Sequence, residues 1–344
     1  MLSLHLGCAA PPRLSQRDKE ITYRMIGVIG SGSWATAIVK ILLENKGRRV
    51  NWWVRRAEIC DSLQHSGRNP HHLKEVILDK ERLHVSTDLA AIVAASDMLV
   101  VAVPSVYVAS VLTQLNPEAY RGKRLVSVVK GFVTEEQTSI SQYIEQRLLL
   151  PADNICVVSG PSHAEEVAAG QPTFLTIASS NPRLADEMSA VLRCSYIHTQ
   201  VSDDVRGLEL CGLTKNVYAV AAGMAAGIGY GDNLIAVLTA AAADELKALV
   251  DGTSMSRCLF SDLMVTCFSR HSRNRRLGEA VAHGTTPADH FATTDMVAEG
   301  YYSADILHAM AKPSSTPIAD AVYRVLYCGT NPKEELDMLI QTVL

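Results

Sequence analysis

Up to about residue 200, short apolar runs alternate with longer stretches in which apolar residues recur at helical spacing. The runs are MIGVIG (25–30), RVNWWV (49–54), LHVST (83–87), DMLVVAVP (97–104), RLVSVVKG (124–131), NICVVSGP (154–161) and TFLTIAS (173–179). Each is rich in β-branched residues and bounded by polar or glycine-containing segments, which predicts a strand buried on both faces. Helical material such as SWATAIVKILLENK (33–46) lies between them. Strands alternating with helices predict an α/β, doubly wound, mainly parallel sheet covered on both sides. From Asp204 onward β-rich runs are scarce and Ala, Leu, Met and Glu recur at helical spacing, predicting an all-α second half. GLELCGLTKNVYAVAAGMAAG (207–227) reads as one long helix with a small-residue face. The expected division is a tail or upstream-placed start over 1–24, a dinucleotide-binding domain over 25–203 and a helical domain over 204–344.

The longest apolar candidate for a membrane helix, AAIVAASDMLVVAVPSVYVASVL (90–112), is broken by Asp97 and Pro104. No stretch reaches the roughly 18–20 uncharged apolar residues that a span needs. The chain has 344 residues and a net charge of −4, so nothing in it suggests bulk attraction to nucleic acid or anionic lipid. Any anion recognition is then local. The eight cysteines include no CxxC pair and the eleven histidines no HExxH. That favours reduced thiols in a cytosolic protein and predicts no metal site. The first residues lack a basic n-region and have only a short apolar portion, which argues against a secretory signal.

Two features carry chemistry. The first strand ends in G-S-G-S-W-A, residues 30–35. Gly30 permits a tight turn, Gly32 lets backbone amides approach a pyrophosphate at the next helix's N-terminus, and Ala35 takes the third position. A bare match is weak, but this one follows a strand, opens a helix and starts an α/β pattern. Where a site selective for NAD usually has Asp or Glu, the second strand ends in Trp53-Val54-Arg55-Arg56. Arg55 and Arg56 suit a ribose 2′-phosphate, or form a solvated basic loop; NADPH and NADH both stay open. The second feature is Lys215-Asn216 at the head of LTKNVYAVAAGMAAGIGYGDN (213–233), a run of almost entirely small or apolar residues. A lysine entering such a run either snorkels to solvent or is held for chemistry. Three more polar patches stand apart: Lys130-Gly131, GPSHAEEVA (160–168), and SDLMVTCFSRHSRNRR (261–276) with Asp262, Thr266, Arg273 and Asn274. Taken singly, each also reads as a strand-end lysine, a helix cap or a solvated helix face.

Together these motifs, in this order with VAEGYY (297–302), resemble the soluble NAD(P)-dependent glycerol-3-phosphate dehydrogenases over residues 25–340. The resemblance implies that Lys215 is the acid/base on the C2 oxygen and Lys130 a second active-site lysine touching substrate and cofactor, with Asp262 completing the catalytic set. A like charge nearby lowers a lysine's pKa, which suits proton transfer near neutrality. It implies that Asn216, Asp262 and Thr266 orient the lysine and the substrate, that Arg273 and Asn274 bind the substrate phosphate beside Ser272 as a further substrate contact, and that Gly160, Ser162 and Ala164 contribute contacts from the strand-to-helix turn. It assigns Ser33, Trp34, Ala164, Arg273, Val297 and Glu299 to the cofactor, the last two at the nicotinamide end. It further implies a role in phospholipid synthesis and a homodimer. The chain departs from the family pattern at Leu234-Ile235, in LTAAAADEL (238–246), where Thr-Arg-Gly is usual, at Ser261 in place of glycine, and at Ala35. A ketopantoate reductase or 3-hydroxyacid dehydrogenase shares the general build but lacks GPSHAEE and SRNRR. A nucleotide-sensing protein without turnover is the reading from outside enzymology.

Overall fold

The computed structural model describes residues 25–250, 257–294, 297–312 and 315–344; the reading of 1–24 as a tail lies outside them. In chain order the elements of the sheet half are β1 (Ile26–Ile29), α1 (Ser33–Glu44), β2 (Val50–Trp53), α2 (Ala57–Ser66), β3 (Leu83–Ser86), α3 (Leu89–Ala94), β4 (Met98–Val101), α4 (Val108–Leu112), β5 (Arg124–Ser127), β6 (Phe132–Val133), β7 (Thr138–Ser139), α5 (Ile140–Arg147), β8 (Ile155–Ser159), α6 (Ala164–Ala168), β9 (Thr173–Ala178), α7 (Pro182–Leu192) and β10 (Ile197–Ser202). The helices that follow are α8 (Val205–Ile228), α9 (Asp232–Leu249), α10 (Arg257–Phe268), α11 (Arg273–Ala282), α12 (Pro287–Ala292), α13 (Glu299–Met310), α14 (Pro317–Tyr323) and α15 (Pro332–Thr342).

Eight strands form one sheet in the order β10-β9-β8-β5-β4-β1-β2-β3, and β6 pairs with β7 in a separate hairpin. All neighbours in the large sheet run parallel except β8 and β9, which are antiparallel. The expected α/β class with a mainly parallel sheet is therefore the observed one. β1, β2, β4 and β8 are buried at every position, because helices cover both faces. β10 is a strand the apolar pattern did not predict. It lies at the edge, and in IHTQVS only Ile197 is fully buried, so the run lacks the apolar density that marks the central strands. The strand order reverses beside β1, where β2 and β3 go one way and β4 the other. A crevice opens at such a switch point, at the carboxyl ends of the strands.

In the helical half the hydrophobic core wraps α8. Every residue from Gly207 to Ala225 of that helix is buried, and α9, α10, α11, α13 and α14 pack around it. The Asp204 side chain caps its start by accepting the Gly207 N–H (2.8 Å), and Gly229, with φ +95°, ends it. Small residues bring the axes close. A Cβ at Gly223 would lie 2.0 Å from the Arg275 carbonyl oxygen, and one at Gly278 would lie 2.1 Å from that of Val220. α11 is thereby pressed against α8, which brings Arg273 and Asn274 to the level of Lys215 and Asn216. Leu234 and Ile235 serve this core, and no residue of α9 lines the cleft described next. These departures from the family pattern are packing positions.

Candidate active site

A cleft of about 620 Å³ lies between the sheet half and the helical bundle. One end is the turn after β1. Gly30 has φ +126°, and a Cβ there would meet the Ala102 carbonyl oxygen at 2.4 Å. Only glycine lets β1 end so close to the end of β4. A Cβ at Gly32 would meet nothing within 4 Å, and Gly32 leaves the N-terminus of α1 without a side-chain cap. Uncapped N–H groups at the head of a helix, open to a cleft, fit the pyrophosphate of a dinucleotide. Asn69 braces the turn, donating to Ser31 O and Thr36 Oγ1 at 2.9 Å each. Ser33 and Trp34 line the same end. Arg55 and Arg56 line it from the end of β2; Arg56 pairs with Glu58 at 3.5 Å, and Glu58 also meets His71 Nε2 at 2.8 Å.

At the other end the residues of the polar patches converge. Lys215 is only 1% exposed, which excludes snorkelling, and its ammonium is paired with the Asp262 carboxylate. The Ser159 hydroxyl donates to the same Asp262 oxygen at 3.3 Å, and Lys130 Nζ stands 4.0 Å from the other. Burial pushes the Asp262 carboxyl upward, but the two ammonium groups outweigh it and hold the group below its ordinary value. Lys130 donates to Gly160 O (3.2 Å) and Ser162 Oγ (3.0 Å), and sits 5.6 Å from the Trp34 ring centroid. Desolvation, reinforced by the charges of Lys215 and Arg273 against the pull of Asp262, brings its pKa down to about 7. The expected lowering by a neighbouring like charge is present at Lys130, where desolvation is the larger cause.

Asn216 donates both amide hydrogens within the protein, to Lys130 O and Gly212 O at 2.8 Å each, while its Oδ1 accepts from Asn274 Nδ2 at 2.7 Å. Its amide nitrogen is thus already committed to positioning Lys130. Thr266 lines the cleft and donates its hydroxyl to Asp262 O (2.5 Å), fixing that turn of α10. Ser272 caps α11 by accepting the Arg275 N–H at 3.2 Å, and the exposed Arg273 side chain lines the cleft beside it. Gly160 (φ +139°) lies outside the cleft wall and presents only its carbonyl to Lys130, whereas Ser162 and Ala164 line the wall itself. Val297 and Glu299 line the helical side, where Arg273 faces Glu299. Ser105, Ser159 and Asn69 support the site without any sequence signal, because a single serine or asparagine at a strand end or in a turn has no periodicity to betray it.

Models of the NAD-dependent glycerol-3-phosphate dehydrogenase N-terminus and C-terminus match residues 25–185 and 204–337. The chain belongs to the glycerol-3-phosphate dehydrogenase family. Glycerol-3-phosphate dehydrogenase [NAD(P)+] 2 of Salinibacter ruber is 36% identical over 324 residues, covering 92% of this chain and 94% of the relative. The [NAD(P)+] enzyme of Chlorobium limicola is 34% identical, with 88% and 93% covered. Among solved structures, the glycerol-3-phosphate dehydrogenase of Coxiella burnetii superposes with a TM-score of 0.85 at 28% identity, over 92% of this chain and 99% of that one. A ketopantoate reductase from Ralstonia eutropha shares the fold alone, at 15% identity and a TM-score of 0.54. Relatives bearing the [NAD(P)+] name imply a nicotinamide dinucleotide as cofactor, and the glycine turn has a shape that fits one. Among the described residues no helix is long and apolar enough to cross a membrane, and no His/Cys/Asp/Glu cluster is arranged for a metal.

Proposed function

We propose that this protein interconverts dihydroxyacetone phosphate and sn-glycerol 3-phosphate with NADPH or NADH. The observation that carries the reading is the buried Lys215–Asp262 pair, with Lys130 beside it, at the end of a cleft whose opposite end is a dinucleotide turn. When bound, reduced nicotinamide would supply the hydride that the C2 carbonyl carbon accepts. Lys215 donates a proton to the oxygen at C2 as negative charge develops there, and recovers it from solvent afterwards. Asp262 holds the Lys215 ammonium in place and offsets its desolvation. Lys130 adds a positive charge where the oxyanion forms. Arg273 and the first N–H groups of α11 bind the substrate phosphate, with a planar guanidinium fork and a helix N-terminus acting together. Gly160, Ser162, Ala164, Thr266, Ser272 and Asn274 shape the substrate end around these groups.

Arg55 and Arg56 support use of NADPH, since Arg55 has no ion-pair partner among the described residues and Arg56 holds only a long contact to Glu58. The cytosol as location, phospholipid synthesis as role and a homodimer as assembly are parts of the same reading and rest on the family. The test is absorbance at 340 nm with dihydroxyacetone phosphate, using NADPH and NADH in parallel. Oxidation of either is the expected result, and their ratio reports on the two arginines. Oxidation with ketopantoate instead would move the assignment to that reductase class. Cofactor binding with no oxidation of any substrate would turn it to nucleotide sensing.

A further inference from the structure

We propose that Ser105 is a positioning residue that fixes the Glu299 carboxylate at the nicotinamide end of the cleft and anchors a chain of hydrogen bonds between the two halves of the molecule. The proposal rests on the reading that Glu299 contacts the cofactor. Ser105 begins a single helical turn after β4, directly behind Pro104, and is 2% exposed. It does not line the cleft, although Pro104, Tyr107 and Glu299 do. Its backbone N–H donates to Glu299 Oε1 at 2.9 Å and its hydroxyl to Oε2 at 2.5 Å. One residue of the sheet half thus engages both oxygens of a buried carboxylate of the helical half.

From Glu299 the chain continues through covalent and hydrogen bonds. Gly300 N–H donates to Asn274 Oδ1 (2.8 Å), Asn274 Nδ2 to Asn216 Oδ1, and Asn216 Nδ2 to Lys130 O. The residue after Lys130 is Gly131, where a Cβ would lie 3.0 Å from Glu299 Oε2, 3.0 Å from Ser105 Cβ and 3.1 Å from Ser105 Oγ. The chain therefore comes back to Ser105 by packing rather than by a bond, and the missing side chain at Gly131 leaves room for the Ser105–Glu299 contact. Lys130, Asn216, Asn274 and Glu299 are locked to one another, with Ser105 as the anchor in the loop after β4. A buried carboxylate that loses a donor keeps its desolvation penalty without compensation. Burial already pushes the Glu299 carboxyl above its ordinary value, against the hydrogen bonds from Ser105 and the charge of Arg273. Removing the hydroxyl leaves Oε2 without that donor and frees the carboxylate to shift.

The experiment is a double-mutant cycle on the full chain, reading the Kd of NADPH and NADH by the fluorescence of the reduced nicotinamide. Ser105→Ala is expected to weaken binding about tenfold. Glu299→Ala should weaken it at least as much, and the double variant should match Glu299→Ala alone, since Ser105 acts only through that carboxylate. A purely structural serine would lower the melting temperature and add its loss to that of Glu299→Ala. Wild-type affinity in Ser105→Ala, or additive losses in the double variant, would overturn the proposal. If Ser105→Ala does not fold by circular dichroism, Ser105→Cys, close in size and a weak donor, takes its place under the same criteria. The binding readout needs no turnover. A wild type that binds NADPH but oxidises none on dihydroxyacetone phosphate sinks the reaction and leaves the role of Ser105 standing; a Ser105→Ala variant that binds normally does the reverse.

Discussion

Lys215 enters the interior with one carboxylate as its counter-ion, and burying such a pair is worthwhile only where the charge has work to do. Lys215→Ala is expected to lower kcat by about 10²–10⁴. Cofactor affinity should stay within about twofold, because the lysine lies at the end of the cleft away from the glycine turn. Steady-state rates beside a nicotinamide-fluorescence titration decide this, and a near-normal kcat would remove Lys215 from the chemistry. Lys130 makes a different prediction. With a pKa near 7 it is cationic below neutrality and loses its proton above. If its charge helps bind the forming oxyanion, kcat/KM for ketone reduction falls as pH rises through about 7, since that parameter reports the free enzyme. Arginine stays protonated throughout. Lys130→Arg should therefore react more slowly but lose that inflection. An inflection kept unchanged in the variant assigns the titration to another group.

At the level of elements, α9 and α14 are joined by a carboxylate the reaction does not use. Glu245 Oε1 accepts the Ile318 N–H at 2.6 Å, at the start of α14, with Tyr218 of α8 beside it. Burial raises its pKa from 4.5 to about 7. Below pH 4.5 the group is protonated in both states. Between 4.5 and 7 the unfolded chain ionises while the folded protein keeps the proton, so stability falls as pH rises and levels off above 7. The drop attributable to this one group is on the order of 3 kcal/mol. Glu245→Gln keeps an acceptor and abolishes the titration, so its melting temperature should decline less than that of the wild type between pH 5 and 8. Parallel curves for the two proteins would refute the assignment. The elements themselves were largely readable from pattern, since β1, β2, β4, β5 and β8 are apolar enough to announce two covered faces. β10 was not, because an edge strand needs only one buried residue in six. The site was legible as types of residue in order, through glycine turn, lysines and arginine. That Asp262 meets Lys215, or that Asn216 spends its amide on the Lys130 carbonyl, depends on how α10 and α11 cross α8, and no local spacing encodes a crossing.

Over the whole molecule, the cleft takes Gly30, Gly32, Ser33 and Trp34 from the sheet half and Arg273, Val297 and Glu299 from the helical half. Hydrogen bonds cross between the halves. Ser105 donates to Glu299, Asn216 to Lys130 O, Ser159 to Asp262, and Ser141 to Glu209 through its N–H (2.8 Å) and hydroxyl (2.6 Å). Glu209 and Asn216 lie on the same helix as Lys215, so α8 is tied to the sheet at two levels along its length. Halves coupled in this way should unfold together, as one calorimetric transition, although chains of this size often show more than one. A ligand that bridges both halves binds only the fully folded state. NADPH at a hundred times its Kd should then stabilise that single transition by about 2.7 kcal/mol and move it upward as a whole. Differential scanning calorimetry with and without NADPH tests this directly. A low-temperature transition that ignores the cofactor would mean that the helical half melts independently, with the dinucleotide held by the sheet half alone. The contacts from Val297, Glu299 and Arg273 would then add nothing to cofactor binding.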